Sequence, residues 1–104
     1  MRQRRKAKAF DIFYNKYKML DKFNHIKSVM SSCETVTQLD IAYGWGTKTL
    51  WSWHDVIDRE CKKKYGVIDG LDFWNYTFKR TSQLTDDLLI TRNKIYQRLT
   101  RVVV

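Results

Sequence analysis

Proline is absent from the 104-residue chain, and glycine occurs only four times. A β fold with many tight turns uses both residues as punctuation, so their scarcity favours helices. No apolar run approaches the roughly 18 residues that cross a bilayer. The basic N-terminus also lacks the apolar stretch of a secretory leader, which predicts a cytoplasmic location. Cysteine is limited to Cys33 and Cys61, far apart and without C-x-x-C spacing. The pair reads as two buried thiols, and a disulfide has no support in a reducing compartment. G-x-S-x-G, P-loop and H-E-x-x-H patterns are all missing, and no nucleophile has an evident base beside it. A non-enzyme is expected, with no cofactor.

What the chain does have is apolar and basic. A hydrophobic content of 43% with 14% aromatics is enough for a folded core, so disorder is not the expectation. The formal charge is +9, unevenly spread. Residues 1–30 hold nine Lys/Arg against two Asp, residues 31–70 five against six acids, and residues 71–104 six against three. A surplus of this size points to a polyanionic partner, most often nucleic acid. The plainer reading is a solvated basic surface that aids solubility.

Residues 1–8, MRQRRKAK, carry Arg2, Arg4, Arg5, Lys6 and Lys8 and nothing to bury. They read as a flexible basic arm of the kind that tracks phosphates, and residues 9–104 as one helical domain. Phe10, Phe13, Tyr17 and Leu20 recur at helical spacing from residue 9 to 30, and Ile12, Met19, Phe23, Ile26 and Met30 widen the stripe. One long amphipathic helix is predicted there.

Residues 35–65 contain three of the four tryptophans. Thr35 is placed to cap a helix, with Gln38 closing a capping box. Gly44 and Gly46 are expected to break that helix, and a second one to run from about Thr47 to Tyr65. Lys62, Lys63 and Lys64 then sit at the negative end of its dipole. In this frame Leu50, Trp53, Ile57 and Cys61 face the core, while Thr47, Lys48, Trp51, Ser52 and Asp55 face outward. The segment from Gly44 to Trp53 resembles helix-turn-helix DNA-binding modules, with Gly44 as the turn glycine and Trp45 just after it. It departs from them at Asp40, where a small apolar residue is expected. The resemblance implies that Thr47 and Ser52 bond phosphates or bases, that Lys48 reaches a phosphate or a guanine edge, and that Trp51 stacks on a base. The competing reading is an ordinary helical hairpin, since this stretch is not itself basic. The string from Ser32 to Leu39 is similar to a helix start in small bacteriophage proteins, which implies a phage or mobile-element origin and a host-cytoplasm location.

His54 and Asp58 have the spacing of two metal ligands on one helix, but no third ligand is visible, so no metal is expected and the two read as a helix-surface pair. Asp69-Gly70 signals a turn. Residues 67–80 fit a short helix through Leu71, Trp74 and Phe78 better than a strand through Trp74, Tyr76 and Phe78. Lys79-Arg80-Thr81-Ser82 reads as a polar connector suited to a phosphate. A final helix spans residues 83–101, with Leu84, Leu88, Ile95 and Leu99 inward and Lys94, Gln97, Arg98 and Arg101 outward.

The expected fold is all-α, a compact bundle of about four to five helices containing a helix-turn-helix-like unit at 35–65. The expected function is DNA binding, with Arg2, Arg4, Arg5, Lys6, Lys8, Thr47, Lys48, Trp51, Ser52, Lys79 and Arg80 as contacts and a homodimer as a candidate assembly. The alternative is a protein-interaction module, a phage inhibitor or adaptor of a host protein or a small internal virion component.

Overall fold

The computed structural model describes residues 10–65 and 71–101. Among these the fold is all-α, with four helices and no strand. We label them α1 (10–16), α2 (Met19–Ser31), α3 (Val36–Tyr65) and α4 (Leu71–Thr100). None of the described helices is long and apolar enough to cross a membrane.

The single helix expected over residues 9–30 is broken. Lys18 sits in the left-handed region at φ 55° and ψ 49°, where a helix of L-residues cannot continue. Its amide bonds to the Asn15 carbonyl and ends α1, and its own carbonyl accepts from Lys22 N–H and begins α2. The Lys22 ammonium bonds to the Tyr17 carbonyl and lies 4.3 Å from the centre of the Trp53 ring, tying the break to α3. Ile12 and Leu20, expected in the apolar stripe, stay exposed on either side of the break.

α2 is 13 residues long, marginal as an isolated helix. It is held by burial of Met19, Phe23, Ile26 and Met30, each contributing about 1.5–3 kcal/mol when fully removed from water. Arg98 of α4 donates to the Ser31 and Cys33 carbonyls and satisfies orphan acceptors at its end. The start of α3 has the expected Thr35 cap, while Gln38 reaches one residue past the position that a capping box requires. Thr35 Oγ1 accepts from Gln38 N–H at 3.1 Å, and Gln38 Oε1 accepts from Glu34 N–H at 2.9 Å.

The glycine turn is not there. α3 runs unbroken from Val36 to Tyr65, through Gly44 and Gly46, so the helix-turn-helix unit is replaced by one 30-residue helix. Gly46 serves a different purpose. A β-carbon at that position would lie 2.3 Å from Ile26 Cγ2, so its hydrogen lets α2 cross close to α3. Gly44 faces open space. The buried stripe of Leu39, Ala42, Leu50, Ile57 and Cys61 passes the glycines without a change of period.

α4 is also continuous. Residues 71–82, expected as a short helix and a connector, are its first turns, and Thr77 and Thr81 are buried there. Thr81 is hydrogen-bonded to His54, and Arg92 is paired with Asp40 at 2.7 Å, which fixes α3 and α4 as antiparallel. Lys27–Asp87 and the Arg98 bonds run α2 parallel to α4. α1 and the turn after it lie across the seam: Phe10 meets His54, Tyr17 meets Trp53, and Asp11 pairs with Arg80. Cys33 and Cys61 are buried free thiols, as expected, and burial pushes Cys61 up to about 11.

Candidate nucleic-acid interface

The outward face of α3 carries a polar recess. Trp45, Lys48, Thr49, Ser52 and Trp53 line a depression of about 390 Å³. Their spacing, i, i+3, i+4, i+7 and i+8, is one continuous helical face. Trp45 is 44% exposed, so its indole has area to offer a planar ligand. His25 meets it edge-on at 6.2 Å and steadies it from α2. Trp53 forms the far wall, half-buried between Tyr17 and the Lys22 ammonium. Two hydroxyls and one lysine lie between the two indoles, and no carboxylate is among the described residues that line the recess. An indole surface beside a cation and hydroxyl donors can hold an unstacked base and its phosphate.

A second recess adjoins it at Trp45. Val29, Ser32, Cys33, Gln38, Ile41, Ala42 and Trp45 bound a groove of about 500 Å³ between the end of α2 and the start of α3. Two of its donors are already used: Ser32 Oγ and Cys33 Sγ both donate to the Val29 carbonyl. The groove is therefore apolar, and Ile41 on its rim is 68% exposed.

The residues expected from the sequence divide. Lys48 and Ser52 are exposed and lie together in the recess. Thr47 is half-buried, and its hydroxyl donates to the Gly44 carbonyl of its own helix. Trp51 does not project into solvent. It lies in the α3–α4 seam, 5.2 Å from the Phe78 ring and 5.1 Å from His54. Six residues along α3 from Trp45, it is rotated by about 120° around the helix axis, which turns it toward α4. Arg80 is held against α1 by Asp11 at 2.9 Å and by the Tyr14 ring at 4.6 Å, away from Lys48. Lys79 is exposed on α4. Arg2, Arg4, Arg5, Lys6 and Lys8 lie outside the described residues, as do the Asp69-Gly70 turn and Val102 to Val104.

Trp45 is the residue that sequence reasoning missed. Placing a turn at Gly44 assigned Trp45 to the packing position after it. On an uninterrupted helix, Trp45 shares a face with Lys48 and Ser52 and is solvent-facing. His54 also differs from expectation. It is no surface partner of Asp58 but packs between α3 and α4, its Nδ1 2.6 Å from Thr81 Oγ1. Burial lowers its pKa from the ordinary 6.5, against an opposing pull from Asp58 and Asp55.

Comparison of the chain with models of known protein families, with curated proteins and with solved structures returned no match.

Proposed function

We propose that the protein binds single-stranded nucleic acid, with a base stacked on Trp45 and its phosphate held by Lys48 and Ser52. The observation that carries this reading is the recess itself. It joins an exposed indole, a lysine and two hydroxyls on one rigid helix with no carboxylate among them. The basic balance of +9 favours a polyanion and supplies the long-range attraction. A straight α3 in place of a helix-turn-helix unit removes the element that reads a duplex groove and favours a strand with accessible bases.

The test is anisotropy titration of a labelled single-stranded oligonucleotide and its duplex across a salt series. Trp45→Ala is expected to weaken single-strand binding about tenfold to a hundredfold, the value of one stacked base. Lys48→Ala weakens it less and makes it less salt-dependent. Trp51→Phe, in the seam, leaves binding unchanged. Equal affinity for duplex and strand, or a Trp45→Ala protein that binds as well as the parent, overturns the reading.

The apolar groove beside Trp45 favours a second reading, a protein-interaction module. Ile41 and Trp45 would then anchor a partner side chain. In that case Ile41→Ser abolishes capture of a protein partner, and salt has little effect.

A further inference from the structure

The last turns of α4 carry a feature that the Trp45 recess does not use. Lys94, Gln97, Arg98 and Arg101 line a recess of about 530 Å³. Among the described residues that line it, three are cations and none is a carboxylate. None of the three takes part in an ion pair with a described residue. Arg98 is pinned from beneath, since its Nη2 donates to the Ser31 carbonyl at 3.2 Å and the Cys33 carbonyl at 3.4 Å. A guanidinium carries five N–H donors, so three remain after those two bonds. Lys94 and Arg101 flank it from the turns on either side, at i−4 and i+3.

The bland account is that cations gather here to offset the negative end of the α4 dipole. The magnitudes do not support that as the whole explanation. The dipole end is equivalent to about half a unit charge. Three cations exceed it several-fold, so the recess keeps a strong positive potential toward solvent. Residues 94 to 101 span about 10 Å of helix, long enough for two or three linked phosphate groups and too long for one.

We infer that the Lys94, Gln97, Arg98 and Arg101 recess is a binding site for a chain of linked phosphates, either a nucleic-acid backbone or a free inorganic polyphosphate. Arg98 forms a fixed floor, Lys94 and Arg101 close over the outer oxygens, and the Gln97 amide donates between them. This site does not depend on the Trp45 recess, and its ligand needs no base.

The test is a titration of the full chain with inorganic tripolyphosphate, followed by amide chemical shifts. Saturable shifts are expected at residues 94, 97, 98 and 101. The double variant Lys94→Gln/Arg101→Gln is expected to weaken binding about tenfold, as for two exposed charge-assisted contacts. Arg98 is left in place because it caps α2, and an unchanged thermal melt shows that the variant is folded. Lys63→Gln, an exposed lysine near the end of α3, should have no effect. Repeating the titration with a single-stranded oligonucleotide separates the two sources. If the double variant weakens both ligands, the backbone is the natural occupant; if it weakens only tripolyphosphate, a free polyphosphate is. Shifts spread evenly over all lysines, no saturation, or a double variant that binds as the parent does would overturn the site. Loss of oligonucleotide binding in Trp45→Ala with tripolyphosphate binding intact keeps the two proposals distinguishable.

Discussion

At Gly46 one hydrogen separates α3 from α2, and a methyl group there would meet the stiff, fully packed Ile26 side chain. Gly46→Ala is therefore expected to destabilise the fold by about 1–3 kcal/mol, the usual cost of overpacking. Gly44→Ala, two residues away in open space, should stabilise it by up to about 1 kcal/mol, because alanine is the better helix former. Chemical denaturation of the two variants checks both signs, and a destabilised Gly44→Ala protein would mean that α3 is not helical there. Lys18 offers a third case. Its left-handed backbone costs about 1–2 kcal/mol in a residue with a β-carbon, so Lys18→Gly should gain about 0.5–1 kcal/mol after glycine's extra chain entropy is set against it. Residue type alone did not reveal these roles. A glycine at a turn and a glycine under a crossing helix look the same in one sequence. Nothing about a lysine at position 18 signals a left-handed backbone. What could have decided Gly46 is the stripe Leu39, Ala42, Leu50, Ile57 and Cys61, which holds one helical period straight across both glycines.

Whole elements divide in the same way. The Thr35 cap, the inward face of Leu50, Ile57 and Cys61 and the inward Leu88 and Ile95 were legible because capping and apolar periodicity are local signals. The first turns of α4 were not, because Thr77 and Thr81 occupy core positions with polar side chains. Thr81 is tolerated there because His54 bonds its hydroxyl across the α3–α4 seam. Burial of His54 in that seam makes it sensitive to pH. His54 has a folded pKa below its ordinary 6.5, so the unfolded chain takes up a proton first as pH falls. Stability is then complete above about pH 6.5 and declines below it, with a slope of at most about 1.4 kcal/mol per pH unit, until the folded-state pKa is reached. Denaturation measured on both sides of that pH should show the decline in the parent and a much flatter profile in His54→Gln. Parallel profiles would remove buried His54 as the cause.

Across the whole molecule, charge lies where the helices carry it. Because α3 and α4 are antiparallel, Lys62, Lys63 and Lys64 end up roughly 40 Å from Arg98 and Arg101, at opposite ends of the bundle. Folding separates them, because a helix of 30 residues carries its two ends far apart. The described acids also hold several cations in place, through Lys27–Asp87, Lys62–Asp58, Arg80–Asp11 and Arg92–Asp40. Each such exposed pair is worth only about 0–1 kcal/mol, so they orient side chains more than they stabilise the fold. A strand seated on Trp45 and Lys48 thus draws on a diffuse field, with residues 1–8 as the densest source of it. Deleting those residues removes five cations and lowers the formal charge from +9 to +4. The slope of log affinity against log salt should then fall by about 0.7 for every phosphate that the arm neutralises. Quenching of Trp45 at saturation should persist, since the indole and its recess remain. An unchanged slope would assign all phosphate binding to the helices, and absent quenching at saturation would mean that the arm, not the recess, holds the strand.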